Sequence, residues 1–177
     1  MLSRRSRQLS LGALFILAAS SFGGQVFAEE MYRGGAFEIE IPAGFTVEPS
    51  MPSSTDGGKF DSVIFNSPND EISFYIFSPR YSGFPADILL DPTEEVMIEE
   101  TGNDADGFVH SWWTINAKDE SYTRSYHSKM HLNGGDVVIF GMKYDSDIEL
   151  SLFYDLYKDF KSSFVRVVDD EASSASQ

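Results

Sequence analysis

Three histidines are the first residues with chemistry to offer. His110, His127 and His131 all lie in stretches of alternating apolar and polar residues, so strands carry them. Two side chains i, i+4 on a strand stand roughly 13 Å apart. A tetrahedral metal site needs its ligands ~2.0–2.1 Å from one ion, so the three cannot all meet there. A two-histidine site completed by Asp136 beside His131 stays open, as does the plainer alternative of sheet histidines among aromatic neighbours. The expectation is no metal and no cofactor.

Glu99, Glu100, Asp104 and Asp106 suggest a cation loop. In a calcium loop the glycine occupies the sixth position, which would be Gly107. Gly102 would then stand first with no side chain to ligate, and Trp113 would stand where the bidentate glutamate belongs. The pattern fails, and a solvated acidic turn over 103–107 accounts for these residues better.

Catalytic signatures are missing. The chain has no Cys, so it offers no thiol nucleophile, no thiolate metal site and no disulfide. It contains no Gly-x-Ser-x-Gly elbow, no His-Glu-x-x-His and no phosphate-cradling glycine loop. A hydrolase would have to assemble its site from scattered residues.

A binding surface is easier to nominate. Phe77-Ser78-Pro79-Arg80-Tyr81-Ser82-Gly83-Phe84-Pro85 puts aromatics, an Arg and prolines in one connection. Arg80, Tyr81 and Phe84 are of the types that dominate interface hot spots. The competing account is that Phe77, Tyr81 and Phe84 staple the loop to the core. Glu99, Glu100, Asp104 and Asp106 add an acidic surface. The chain carries 28 acidic against 13 basic side chains, a net charge of −15. That balance argues against nucleic acid or an anionic membrane and favours a basic partner.

The elements that must position these residues follow from the patterning. Residues 1–28 read as a signal peptide. Arg4, Arg5 and Arg7 precede an apolar run over 9–19, and Val26-Phe27-Ala28 supplies the small residues that a signal peptidase reads. Cleavage after Ala28 would place the protein in the periplasm or outside the cell and leave a net charge of −18 on 149 residues. The partner is then expected to be another exported protein. Residues 29–168 read as one α+β domain, and 169–177 as a disordered polar tail.

Ala36-Phe37-Glu38-Ile39-Glu40-Ile41 alternates as a half-buried strand stopped by Pro42 and Gly44, and Phe45-Thr46-Val47 is expected to continue it after a bend. Residues 60–66 and 72–77 form a hairpin, 79–93 a long connection, and Thr93 opens a short helix through Glu100. Residues 108–117, 121–132 and 136–144 are strands. A two-residue turn at Asp119-Glu120 pairs Lys118 with Ser121. One face of this meander then carries Val109, Trp113, Ile115, Tyr122, Tyr126 and Met130. The other carries Phe108, His110, Trp112, His127, Lys129 and His131, joined by Val138, Phe140 and Met142. Apolar residues on both faces call for cover on both. Ser146 or Asp147 caps a last helix with a stripe of Ile148, Leu152, Phe153, Leu156, Tyr157, Phe160 and Phe164. Val165–Val168 is a short exit strand.

The opening Ile39-Glu40-Ile41-Pro42-Ala43-Gly44-Phe45 and the closing Lys161-Ser162-Ser163-Phe164-Val165, with a hairpin, Pro92-Thr93-Glu94-Glu95-Val96 and a three-strand meander between, resemble the PsbP-like fold family (PsbP, Mog-type and DcrB-like proteins). The resemblance spans roughly residues 36–168. It implies an antiparallel sheet sandwiched by helices and used as a non-enzymatic binding or assembly module. The expectation is therefore an exported, non-catalytic binding protein. The alternatives are an acidic immunity or inhibitor protein that neutralises a cationic secreted enzyme, and a small hydrolase with a dispersed site.

Overall fold

The computed structural model describes residues 30–167. The signal peptide expected over 1–28 and the tail expected over 169–177 lie outside the described residues. The elements are β1 (Met31–Arg33), β2 (Phe37–Glu40), β3 (Thr46–Pro49), β4 (Ser62–Asn66), β5 (Ile72–Phe77), β6 (Glu95–Ala105), β7 (Phe108–Ala117), β8 (Thr123–His131), β9 (Val137–Tyr144), α1 (Asp147–Ser162) and β10 (Val165–Arg166). One antiparallel sheet has seven strands in the order β3-β4-β5-β9-β8-β7-β6, and a smaller sheet has the order β1-β2-β10. The fold is α+β, antiparallel sheets with one C-terminal helix.

The meander has the register argued from its turns. Asn116 pairs with Thr123, which is the ladder that sets Lys118 opposite Ser121. His127 pairs with Phe140 and Lys129 with Val138. The two faces therefore carry the residues their alternation assigns them.

Each face has its own cover. Phe65, Phe74, Ile76, Phe140 and Met142 form one core with Phe37 and Ile39 of the small sheet and with Tyr157 and Phe160 of α1. Tyr75, Phe77, Tyr126, Val137 and Ile139 form the other, closed by Ile88 from the connection. That connection holds a single 3-10 turn, Ala86–Ile88, so loop rather than helix forms most of this layer. Gly141 lets the second core close: a Cβ there would stand 2.5 Å from the Tyr126 ring.

The structure corrects the sequence expectations at four places. The helix expected from Thr93 to Glu100 is instead the start of β6. Asp91 Oδ1 accepts from the Thr93 backbone N–H at 2.8 Å and from its hydroxyl at 2.5 Å, closing a turn where a cap was expected. Val96 and Met97 then join the β7 ladder, and Ile98 is the unpaired residue of a bulge between Met97 and Glu99. A long partner strand overrides the mild helix preference of the glutamates. The acidic turn narrows to Asp106 and Gly107, whose φ angles of 52° and 81° suit a two-residue hairpin. β3 does not extend β2; the turn at Gly44 moves the chain into the large sheet. Finally, Ile148 and Leu152 are each 72% exposed. At ~100° per residue, Phe153, Tyr157 and Phe160 fall within about 60° of one another, and Ile148 and Leu152 lie at least about 80° outside that arc.

Candidate functional site

The connection after β5 is fastened to the sheet by a buried polar cluster that motif reading did not find. Arg124 of β8 donates through Nε to Glu95 Oε1 at 2.7 Å and through Nη2 to Glu95 Oε2. The same guanidinium reaches the carbonyls of Ile88 at 2.8 Å and Leu89 at 2.9 Å. Tyr122 donates to Glu95 Oε1 at 2.8 Å, and the Asp91 N–H to Oε2 at 2.9 Å. Nearby, Asp87 accepts from Ser62 at 2.6 Å and from Tyr75 at 2.9 Å.

Burial alone would raise the Glu95 carboxyl, but the hydrogen bonds from Arg124, Asp91 and Tyr122 outweigh it and hold the group below its ordinary value. Tyr122 is pushed up to about 12, first by burial and then by its bond to Glu95. These groups line a recess of about 440 Å³. A carboxylate kept ionised with both oxygens occupied is a poor proton acceptor, acid or nucleophile; its chemistry here is that of an anchor. The only advance signal was Arg124, the one charge on a strand face that otherwise carries Tyr126, Ser128 and Met130.

Further along the same face, the anchored connection and the sheet enclose a groove of about 420 Å³. Phe84, Leu89 and Leu90 form one wall, and Met97, Trp113 and Met130 the other, with Glu100 among them. Phe84 is 62% exposed and Leu89 59%.

Of the candidate binding residues, this groove brings together Phe84 and Glu100. Asp104 lies further along β6 on the same side, opposite Val109. Glu99 sits opposite Thr114 and so on the other side, and Asp106 is in the hairpin turn. Tyr81 is exposed but does not line the groove, and the Arg80 guanidinium approaches the Gly35 carbonyl at 3.4 Å. Phe77 alone among the loop aromatics is buried as a staple.

The histidines lie on the sheet's other face. His110 Nδ1 and His127 Nε2 are 3.0 Å apart, their rings stacked at 5.3 Å, and Trp112 stacks on His127 at 4.7 Å. Lys161 Nζ stands 3.4 Å from His127 Nδ1, which assigns the ring proton to Nε2 and the donation to His110. Burial first, then Lys161, His110 and Lys129, bring His127 down to about 4, so it is neutral at physiological pH. His131 is apart from the pair, against Phe108, with Nδ1 accepting from the Asn133 N–H at 3.2 Å. Asp136 turns its carboxylate to Arg166 at 3.0 Å. The two-histidine site with Asp136 therefore does not assemble, and among the described residues no three His, Asp or Glu side chains are grouped to hold a metal.

No protein-family model and no curated protein matches the chain. Among solved structures it is similar to the solution structure of cyanobacterial PsbP (CyanoP) from Synechocystis sp. PCC 6803, with 15% identity, a TM-score of 0.48, and coverage of 84% of this chain and 98% of that one. A mutant of the protein Mog1 is similar at 13% identity and a TM-score of 0.38, over 82% and 99% of the two chains. The Saccharomyces cerevisiae Ran-binding protein Mog1p follows at 10% identity and 0.36, over 79% and 97%. PsbP and Mog structures are thus among those this fold is similar to, and they are the kinds that the opening and closing sequence motifs resemble.

Proposed function

We propose that this protein is an exported, non-catalytic binding or assembly protein, and that it holds a basic, partly apolar segment of another exported protein in the groove between the 79–93 connection and β6–β8. One observation carries the reading: Phe84, Leu89, Leu90, Met97 and Met130 are exposed together around a single groove. Grouped apolar exposure of this kind marks interaction surfaces, whereas isolated exposed residues do not. Two features suit a basic segment. Glu100 lies in the groove, Asp104 follows it on the same side of β6, and Asp106 stands in the turn beyond. The outer edge of β6 pairs with no strand among the described residues, so its backbone is open to an added extended segment. The tied-down state of Glu95 supports binding over catalysis. Inhibition of a cationic secreted enzyme is the form of this reading that the net charge favours.

The test begins with capture from periplasmic extract on the mature protein, followed by kinetics with the captured partner. Leu89→Ser with Met97→Ser should speed dissociation, because apolar anchors act there. Converting Glu99, Glu100, Asp104 and Asp106 to amides should slow association, most strongly at low salt. An association rate indifferent to salt would remove the acidic-surface part of the proposal. Unchanged dissociation of the serine variant would remove the groove.

A further inference from the structure

The face opposite the groove contains a feature that partner binding does not use. Most basic side chains of the described residues are committed to acids or carbonyls. Arg33 pairs with Glu38, Lys59 with Asp56, Arg124 with Glu95, Lys158 with Asp155 and Arg166 with Asp136. Lys118 donates to the carbonyls of Pro92 and Thr93. Lys129, Lys143 and Lys161 stand over aromatic rings instead, Lys143 Nζ over Tyr122 at 4.2 Å on the groove face and the other two together on the opposite face. Lys129 Nζ stands over the Phe108 ring at 4.0 Å, and Lys161 Nζ over Phe140 and Tyr157, each at 5.4 Å. Neither Lys129 nor Lys161 forms an ion pair among the described residues, although the chain has more than twice as many acids as bases.

These two lysines line one recess of about 360 Å³ with Phe108, Phe140, Phe164, Val138, Arg166 and Asp136. Among the described residues the lone carboxylate of this lining, Asp136, is paired with Arg166 at 3.0 Å, so the lining keeps the positive charge of both lysines. Its floor is aromatic: Phe140 and Phe164 meet edge to face at 5.6 Å. Burial holds the Lys161 ammonium below its ordinary pKa, the condition of a cation short of water and of a counter-ion. His127 beside it cannot supply that counter-ion, being neutral and hydrogen-bonded to His110.

We propose that this recess is a binding site for a small carboxylate with a flat apolar body, the carboxylate lying between Lys129 and Lys161 and the body on Phe108, Phe140 and Phe164. The chemistry follows from the lining. A desolvated ammonium gains more from an anion than one in bulk water does, and ring faces accept an aromatic or planar body edge-on or offset. The proposal does not depend on the partner groove, which lies on the other face of the sheet.

The probe is 1-naphthoate, with 1-naphthalenemethanol as its uncharged counterpart, each titrated into the isotope-labelled mature protein and followed by NMR. Naphthoate should shift the signals of Phe108, Phe140 and the His127 ring and should bind at least ~10-fold more tightly than the alcohol, about 1.4 kcal/mol. Its carboxylate should also raise the His127 pKa, because it offsets the lysines that hold that value down. Lys161→Met and Lys129→Met should each weaken naphthoate ~10-fold or more and leave the alcohol unchanged, and Lys161→Arg should retain binding. Equal binding of acid and alcohol, no binding of naphthoate at millimolar concentration, or shifts centred on Trp113 in the opposite groove would each overturn the proposal.

Discussion

β5 and β6 belong to the same antiparallel sheet and each carries an apolar run, Phe74-Tyr75-Ile76-Phe77 and Val96-Met97-Ile98, yet their fates differ. β5 lies between β4 and β9, and five of its six residues are buried. β6 lies at the edge beside β7, and only its first residue, Glu95, is buried. Hydrogen-bonded ladders build both, on two sides of β5 and on one side of β6, but a ladder by itself does not bury side chains. Cover does. α1 and the small sheet close one side of the β4–β5–β9 half, and the 79–93 connection closes the other. Over β6 and the far ends of β7 and β8 neither layer extends, so Val96, Met97, Ile98, Trp112 and Met130 stay exposed. A sheet can thus be half core and half display surface, and the display half is where a binding role is sought.

The largest test of that contrast is Phe74→Ala. Phe74 is fully buried against Phe45, Tyr157 and Phe160, with ring centroids 5.2 to 5.3 Å away. Its truncation should cost about 3–5 kcal/mol in urea unfolding. A cost under about 1 kcal/mol would mean that the covered half is loosely packed, and the contrast would fail.

The junction of the two halves comes next. Arg124→Met leaves Glu95 buried without its partner and should destabilise by about 3–5 kcal/mol. Adding Glu95→Leu should recover a good part of this, because the penalty is mostly the uncompensated charge. A double variant as unstable as the single would show that Arg124 acts by tying down the Ile88 and Leu89 carbonyls.

A smaller effect is expected from pH. In the folded protein His127 titrates near 4, against an ordinary value of 6.5. The unfolded chain therefore binds the proton first, and the His127 contribution to stability is present above pH 6.5 and lost as pH falls toward 4. His127→Phe should flatten the stability–pH slope in that window. An unchanged slope would mean that the ring is charged in the folded protein and that the Lys161 neighbourhood is wetter than its burial indicates.

The smallest effect is expected at the exposed end. Ile98→Ser, on β6, should change stability by no more than about 0.5 kcal/mol. A loss of several kcal/mol would show that this strand is core and not display, and would withdraw the groove it borders.

Much of the fold was legible from short-range pattern. Alternation in Phe37-Glu38-Ile39-Glu40 and the turns at Asp119-Glu120 and Asn133-Gly134-Gly135 determined strands, register and the residues on each face, because period two and turn geometry are local properties. Ser146 as helix cap is local in the same way, accepting from the Glu149 N–H. Thr93–Glu100 was misread because its glutamates carry a mild helix signal, while the β7 ladder that makes it a strand comes from residues more than ten positions later.

The candidate sites were legible in part. Phe84 and Glu100 were nominated by type, yet nothing in their spacing brings them to one groove; Arg124 fixing the intervening connection does that. The sequence by itself determined which residues face together along each strand and how acidic the chain is. Only the tertiary structure decided which of those faces are covered, that Glu95 is spent on Arg124, and that Lys129 and Lys161 share a recess with no carboxylate of their own among the described residues. The physical reason is that alternation, turns and total charge are summed over near neighbours, whereas cover, ion pairing and recesses depend on elements joined across the whole chain, such as α1 over β9 and residue 95 against residue 124.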